Sequence, residues 1–444
     1  MAKIIVFIGM AMLLVFRAEA QTDSTTAPDI PLPPLVRFVR VYGGNDETLP
    51  PVLLVKQRSQ EIFPTYGART VTIELDVQSP IPPSLYAVVA HCSADWTEDG
   101  NVFLNDVTYS RTSDIDWRMS AVQNSYYSYR GKLSLPNQTL KIPYGGNWKV
   151  KFYEFGNDTT LYAEARIFAV DCSAECTIDI YNDFYEPTHK ASPSALTLEA
   201  LVGSSISIAD IQMNTAVFYR MNRWNEPFVT SQSSSLPTTT GRSSRGGFQT
   251  LIGGSAAVGK RFRIMEIPAE NDYRILDMTN TAQYPSGTVP VRMPLSDLRR
   301  NGTIYYRADD GAMITRGIPM IYDDYVPIEF VLDPENRLPQ EDVFVVGSFN
   351  NWTPSAEWQM HYNEQDRLYK LRHWVRRARH NYMYATGRIN ADTRQPENIS
   401  YEEFEGNNAA AGNTFIAFIY YRDINFGGYD SITAVGAASI FGKR

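Results

Sequence analysis

An alternation of apolar and polar residues with a period of two is the feature that most constrains the fold of this chain. In the segment Val71–Val77, apolar side chains occupy every second position and polar side chains occupy the positions between them. Successive side chains of a β-strand point to opposite faces, so this pattern predicts a half-buried strand. Residues 148–153 and 414–421 are also strand-like and rich in aromatic and β-branched residues. No segment carries a sustained apolar stripe at helical spacing, so the sequence predicts an all-β fold.

Length and turn signals divide the chain into three predicted domains. At roughly 150 residues per domain, 444 residues favour about three. We predict tandem immunoglobulin-like β-sandwiches at residues 35–171, 177–321 and 325–435. The tract at 230–247 is rich in Ser, Thr and Gly, a composition that cannot bury a core, so we predict a mobile loop within the middle sandwich.

The N-terminus has the pattern of a secretory signal peptide over residues 1–20. Lys3 provides the charged start, residues 4–16 form an apolar run, and Ala18-Glu-Ala20 is a small-residue cleavage site. Residues 21–34 are rich in Thr, Asp and Pro, a composition that predicts a flexible leader. The apolar run is shorter than the roughly 20 residues of a membrane helix, and no later stretch approaches that length. We therefore expect an exported protein without a membrane span.

Charge and cysteine content exclude several classes of function. The net charge of −8 argues against a nucleic-acid binder, which would be expected to have a strongly basic domain. The chain has three cysteines, too few for a disulfide scaffold. Cys172 and Cys176 could close a local disulfide or remain unpaired thiols. No second Cys or His pair lies at zinc spacing, so we expect neither a metal nor a cofactor.

No catalytic set is recognisable. His91 and Cys92 lie near Asp95, but they end an apolar strand, so we favour packing over a nucleophile with its base. The segment Gly254–Lys260 has the spacing of a phosphate-binding loop, yet Arg261 stands where the motif needs Ser or Thr, and a strand pattern follows instead of a helix. We predict that the protein is not an enzyme.

The segment Arg372–His380 is a basic island in an acidic chain. Its arginines at 376, 377 and 379 lie between two strand patterns and could contact an anionic partner. A solvated hairpin turn is an equally good interpretation, because exposed charges commonly keep a strand edge soluble.

The segment Val343–Trp352 resembles part of an early-set immunoglobulin-like sandwich. It ends in Gly-Ser-Phe-Asn-Asn-Trp, a turn that many glycogen- and starch-binding modules share. In such modules an exposed indole stacks on a sugar ring, so Trp352 and Asn350 are candidate contacts for a glycan or another partner. Alternatively, Phe349 and Trp352 pin the turn onto the sandwich, which we favour because no second aromatic residue follows at 386–393.

Short motifs in a fixed order cover nearly all of the chain beyond the predicted signal peptide. They are Tyr86–Cys92 with Asp95–Trp96, Ser125–Tyr129, Leu135–Asn137, Gly146–Trp148, Arg166–Val170, Lys260–Arg263, Asp324–Tyr325, Val343–Trp352, Met360–Asn363, Phe404–Asn413, Ile419–Arg422 and Tyr429–Asp430. By these motifs the chain resembles the type IX secretion system plug protein family of the Bacteroidetes and relatives. It departs from the family in the Arg-rich turn at 376–379 and in the long tract at 230–247.

The resemblance implies a non-enzymatic periplasmic protein. Such a plug docks under the large outer-membrane translocon barrel of the secretion system and closes its periplasmic mouth when no cargo passes. Barrels of up to 36 strands enclose a wide aqueous lumen, so a large and rigid plug is needed to seal one. The alternative is a secreted or periplasmic carbohydrate-binding sandwich protein that uses Trp352.

Overall fold

Strands dominate the structure, as the period-two pattern requires. The computed structural model describes residues 33–55, 66–184, 194–203, 213–233, 250–255, 259–305 and 309–440. The helical elements in these ranges are one α-helical turn, Glu402–Glu405, and the 3-10 turns Met320–Tyr322, Ser348–Asn350, Ala356–Trp358 and Asn425–Gly427. The prediction of an all-β fold with tandem immunoglobulin-like sandwiches is confirmed. The predicted signal peptide 1–20, the leader 21–34 except its last two residues, and most of the tract 230–247 lie outside the described residues.

The N-terminal domain is a sandwich built from β1 (Leu35–Gly43), β2 (Val52–Leu54), β3 (Val71–Gln78), β4 (Leu85–Cys92), β5 (Arg111–Thr112), β6 (Asp116–Met119), β7 (Tyr129–Leu135), β8 (Gly146–Glu154) and β9 (Ala163–Val170). One sheet has the order β1-β3-β7-β6, and the other contains β5, β4, β8 and β9, with β2 pairing with β9. The alternating apolar residues of β3 and β8, among them Ile73, Leu75, Val150 and Phe152, are fully buried between the sheets.

The middle domain begins with β10 (Glu175–Phe184), β11 (Ser194–Gly203), β12 (Met213–Arg220), β13 (Phe228–Ser231), β14 (Thr250–Ser255) and β15 (Gly259–Pro268). Its first sheet has the order β10-β11-β15-β14. Leu198, Ala200, Phe262 and Ile264 of β11 and β15 are fully buried in its core. β12 and β13 pair with each other and belong to the opposite sheet.

The C-terminal domain contains β16 (Arg274–Asp277), β17 (Val291–Arg292), β18 (Tyr325–Leu332), β19 (Asp342–Gly347), β20 (Gln359–Asn363), β21 (Leu368–Arg376), β22 (Arg379–Ile389) and β23 (Pro396–Ser400). β20 pairs with both β19 and β21 and so joins the two halves of the sandwich. On β19, Val343 and Val345 face the main core, whereas Phe344 and Val346 join a second buried cluster. Burial on both faces explains why this strand is continuously apolar instead of alternating.

The last two strands, β24 (Thr414–Asp423) and β25 (Tyr429–Ser439), return to the middle domain. β24 pairs with β12, and β25 pairs in parallel with β9 at Ile432 and Val170. These pairings create a nine-stranded sheet that runs through the middle and N-terminal domains. We call it the shared sheet.

The observed strand pairing differs from the predicted domain boundaries. The hairpin of β24 and β25 was predicted in a third sandwich at 325–435, yet it completes the middle domain, and the C-terminal sandwich already starts with β16. The strand pattern identifies a strand but not the sheet that accepts it, because pairing partners are distant in sequence. Similarly, the predicted loop 230–247 overlaps β13, in which Thr230 is fully buried.

Candidate partner interface

The predicted basic segment is buried between two domains. Arg376 ends β21 and is 4% exposed, and Arg377 is fully buried. Arg376 Nη1 donates to Glu74 Oε2, on β3 of the N-terminal domain, over 2.8 Å. This corrects the sequence-based expectation for both arginines, because neither lies in a solvated turn and neither guanidinium group is free to meet an external anion.

Six charged side chains form one network across this boundary. We call it the charged junction, and its members are Arg40, Glu74, Asp76 and Arg130 of the N-terminal domain and Asp323 and Arg376 of the C-terminal domain. Arg130 Nη2 donates to Asp76 Oδ2 over 2.9 Å and its other amino group contacts Asp323. The Tyr325 hydroxyl donates to Asp76 Oδ2 over 2.7 Å. Arg40 also pairs with Glu47 over 3.1 Å, and each carboxylate of the charged junction contacts at least one guanidinium group, as burial of charge requires.

The electrostatics of the charged junction favour its ionised form. Burial by itself would raise the pKa of Glu74, but the guanidinium groups of Arg376, Arg40 and Arg130 hold that pKa far below its usual range. Burial is likewise overcome at Asp323, where Arg376 and Arg130 lower the pKa of the carboxyl group. Both carboxylates are therefore charged at neutral pH.

His380 fixes the backbone at Arg376. Its Nε2 lies 2.7 Å from the Arg376 carbonyl oxygen and its Nδ1 lies 2.9 Å from the Ser348 hydroxyl oxygen. A carbonyl oxygen can only accept, so Nε2 carries the proton and Nδ1 of the neutral ring accepts from Ser348. Burial lowers the pKa of His380 to about 3, so the ring is neutral at physiological pH.

Arg377 and Arg379 pair within the C-terminal domain. Arg377 Nε donates to Asp324 Oδ1 over 2.7 Å, and its Nη1 donates to the Tyr284 carbonyl oxygen over 2.7 Å. The half-buried Arg379 makes two bonds of 2.8 Å to the carboxylate of Asp309. Such a two-point contact fixes the orientation of the guanidinium plane.

Trp352 is enclosed. It is 1% exposed, and its Nε1 donates to the Gly311 carbonyl oxygen over 2.8 Å. The Tyr273 ring lies 4.6 Å from it between centroids, and Arg223 lies over it with Cζ 5.5 Å from the centroid. Gly311 has φ +80°, and a Cβ there would come within 3.2 Å of the indole. Trp352 thus offers no face for stacking on a sugar, and the packing interpretation describes its position.

Asn350 stabilises the turn that carries Trp352. Its Oδ1 accepts from the Gly347 backbone N–H over 2.9 Å, and its Nδ2 donates to the Val345 carbonyl oxygen over 3.1 Å. Both polar ends of the amide are therefore used inside the turn.

Cys172 and Cys176 are free thiols in the structure, and so is Cys92. Burial raises the pKa of Cys172 to about 11 and that of Cys176 to about 12. At neutral pH these side chains are protonated, and a thiol is a weak nucleophile compared with a thiolate.

His91 and Cys92 are both fully buried at the end of β4. His91 Nε2 lies 3.2 Å from the Gly145 carbonyl oxygen, and its Nδ1 lies 3.9 Å from Asp99. Burial raises the pKa of Cys92 to about 11 and lowers the pKa of His91. Among the described residues, no group of three or more His, Cys, Asp or Glu side chains is arranged to hold a metal ion.

A cleft of about 240 Å³ lies where the three domains meet. Arg40, Arg166, Trp224 and Asn351 contribute to its wall. Ligand pockets commonly measure about 300 to 1,000 Å³, so this cleft lies below the usual range. A small cleft lined by charges of both signs is more typical of a contact between domains than of a ligand site.

An exposed group of apolar side chains, which the sequence analysis did not predict, lies at one end of the shared sheet. We call it the apolar tip, and its members are Val102, Phe103, Ile424 and Phe426, which are 73, 63, 75 and 44% exposed. Val102 and Phe103 follow β4, and the other two residues lie in the β24–β25 turn. The Phe103 and Phe426 rings are nearly parallel with centroids 6.0 Å apart. The tip therefore joins the N-terminal and middle domains at the surface.

Hydrogen bonds hold the first loop of the apolar tip in place. Asn101 Nδ2 donates to the Phe426 carbonyl oxygen over 2.5 Å and so links the two loops. Asn105 Oδ1 accepts from the His91 backbone N–H over 2.7 Å, which ties the loop to β4. Leu104 is buried, whereas its neighbour Phe103 is exposed. Sequence analysis did not predict this pairing; apolar residues within Asn- and Asp-rich loops were the available signal.

Comparison with known proteins agrees with the predicted family. Residues 48–171 match the family described as type 9 secretion system plug protein, first domain. No curated protein matches the chain. A crystal structure of a hypothetical protein from Parabacteroides merdae ATCC 43184 superposes with a TM-score of 0.66 at 17% identity, covering 91% of this chain and 97% of that chain. At this identity the likeness shows the fold alone. A complex of Dpr2 Ig1-Ig2 with DIP-Theta Ig1-Ig3 was also found, with a TM-score of 0.17, 12% identity and coverage of 53% and 86%, which carries no argument.

Two further findings bear on the family assignment. The strands β2 to β9 of the N-terminal sandwich lie in the matched range, and the chain continues with two more domains. In the described part of the chain, no helix has the length and apolar character needed to cross a membrane. The family resemblance predicted from the motifs agrees with this match, in which residues 48–171 are similar to the first domain of the type 9 secretion system plug protein.

Proposed function

We propose that this protein is a non-enzymatic periplasmic plug that docks on the outer-membrane translocon barrel of the type IX secretion system and seals its periplasmic opening. The match of residues 48–171 to the plug family carries this proposal. The predicted signal peptide would export the chain to the periplasm, and the barrel would hold it at the outer membrane.

The domain contacts support a sealing role. The shared sheet joins the N-terminal and middle domains through backbone pairing. The charged junction joins the N-terminal and C-terminal domains through buried ion pairs. A rigid block made of three sandwiches can fill a wide opening without a conformational change of its own.

Release would depend on the partner. A ligand shifts an equilibrium only through its differential affinity for the two states, so cargo or a rearrangement of the barrel must weaken the docked state. The plug itself needs no switch in this scheme.

Affinity purification tests the proposal directly. The tagged full-length protein is recovered from its own outer membrane in mild detergent, and its companions are identified by mass spectrometry. We expect one very large β-barrel protein. Loss of the gene should also make the outer membrane more permeable to a bulky antibiotic. Recovery of no barrel together with unchanged permeability would refute the proposal.

Carbohydrate binding through Trp352 has no supporting observation, since its indole is enclosed by Gly311 and Tyr273. Absence of retention on a polysaccharide column is the expected result.

A further inference from the structure

We infer that the apolar tip is a docking surface for a protein partner that presents an apolar pocket bordered by Lys or Arg side chains. The inference rests on the proposed function for the identity of this partner, which is then the periplasmic face of the translocon barrel. Exposure, fixed geometry and charge of the apolar tip support a docking surface.

Exposure is the first argument. Single exposed apolar residues are common and need no explanation, whereas contiguous apolar groups mark interaction sites. Phe103 and Phe426 contact each other across two domains. The exposed Val102 precedes Phe103, and the exposed Ile424 lies two residues before Phe426. Large aromatic side chains are also enriched at the centres of protein interfaces.

Fixed geometry is the second argument. The side-chain amides of Asn101 and Asn105 hold the first loop on Phe426 and on β4. Phe426 has φ 51°, a left-handed conformation that is uncommon for a residue other than glycine. The Tyr144 ring supports Phe426 from the side, with centroids 5.4 Å apart. A surface that is already ordered loses little entropy when it binds.

Charge is the third argument and defines the partner. Asp106 lies in the first loop and is exposed, and Asp423 lies at the start of the second. Backbone N–H groups of Thr108 and Asn425 donate to these carboxylates and help to lower their pKa values, so both remain ionised. The cation on the same hairpin, Arg422, is paired with Asp430 over 3.1 Å.

The border of the apolar tip is therefore acidic. An acidic border disfavours an anionic lipid surface, because like charges repel. A protein surface with Lys or Arg around an apolar centre is complementary to it.

The test compares matched variants of the full-length, tagged protein in the purification described above. Phe103→Asp puts a charge in the centre of the apolar tip at an exposed position, so folding should be preserved. Leu295→Asp is the control, because Leu295 is 81% exposed on the C-terminal domain. We expect at least a tenfold loss of recovered barrel for Phe103→Asp and less than a twofold change for Leu295→Asp.

A photocrosslinking amino acid at position 103 or 295 supplies a second measurement that does not weaken binding. We expect a crosslink to the barrel from position 103 and none from position 295. Full recovery of the barrel by Phe103→Asp, with no crosslink from 103, would overturn the docking surface and leave the plug function standing. Recovery of no barrel by the unmodified protein would instead overturn the plug function and this partner with it.

The same variants distinguish binding to a lipid surface from binding to a protein partner. The purified protein is sedimented with vesicles of phosphatidylethanolamine and phosphatidylglycerol. Cosedimentation that is lost in Phe103→Asp would replace the protein partner with a lipid surface and overturn the inference, whereas absence of cosedimentation supports it.

Discussion

The N-terminal domain meets its two neighbours through contacts of opposite chemistry. Towards the middle domain the contact is apolar: Phe168 of β9 stacks on Phe418 of β24 with centroids 4.0 Å apart and an angle of 10° between the rings. Towards the C-terminal domain the contact is the charged junction, in which Arg40, Asp76 and Arg376 are buried and Glu74, Arg130 and Asp323 are partly buried. Both contacts bury side chains from strands far apart in the sequence.

The two contacts differ in how firmly they fix the orientation of one domain relative to the next. Apolar burial is non-directional and tolerates adjustment of the packed groups. Buried ion pairs contribute little net stability, but removal of one partner leaves a buried charge unpaired, so they tolerate few relative positions. We expect the shared sheet to supply most of the cohesion between domains and the charged junction to set the angle of the C-terminal domain.

The largest expected effect comes from removing one charge of the junction. Arg376→Ala removes this buried partner from the partly buried carboxylates of Glu74 and Asp323 and should lower the free energy of unfolding by about 3–5 kcal/mol. Urea denaturation followed by circular dichroism measures this loss. A loss below about 1 kcal/mol would show that the junction is solvated and would remove the contrast with the apolar contact.

Acid should weaken the charged junction more than the shared sheet, where burial also lowers the pKa of His91. Burial holds the pKa of His380 at about 3 in the fold, against about 6.5 for an exposed histidine, so the unfolded chain takes up this proton first. Stability from His380 is therefore complete above about pH 6.5 and is lost progressively towards pH 3. The lowered pKa values of Glu74 and Asp323 add a further loss below about pH 4, where carboxylates of the unfolded chain become protonated.

Region-resolved hydrogen exchange at pH 7, 5.5 and 4.5, corrected for intrinsic rates, measures this acid effect. Protection should fall further in β21 and β22 than in β24 and β25. Equal loss of protection in both regions would contradict the proposed difference.

A double-mutant cycle sharpens the description of the apolar contact. The coupling between Phe168→Ala and Phe418→Ala should be about 0.5–1.5 kcal/mol, the contribution of an aromatic pair beyond its buried area. The free energies of unfolding of the two single variants, the double variant and the parent protein supply this value. A coupling near zero would show that the rings contribute by area alone.

The smallest effect is expected at a largely exposed arginine on β21, the strand that ends at Arg376. Arg372 Nε lies 2.8 Å from Glu329 Oε1, and its side chain is largely exposed. Arg372→Ala should cost about 0.2–1 kcal/mol in the same urea experiment, because solvent and salt screen such pairs. It is the matched control for Arg376→Ala, and a similar cost for both would contradict the importance of burial.

Strand-level features could be predicted from the sequence because they are local. The alternating residues of β3 and the aromatic-rich segments of β8 and β24 lie in strands as predicted. Domain boundaries could not be predicted in the same way, since β24 completes a sheet with strands far earlier in the chain: Phe415 of β24 pairs with Arg220 of β12, 195 residues before it.

The sequence by itself determined the all-β class, the individual strands and the family resemblance of residues 48–171, because side-chain alternation and short motifs are properties of neighbouring residues. Only the tertiary structure decided that Arg376 is buried in an ion-pair network, that Trp352 is enclosed, and that Phe103 and Phe426 form one exposed surface. The physical reason is distance along the chain. Arg376 and Glu74 are 302 residues apart, and no local sequence pattern indicates which charged residues will pair.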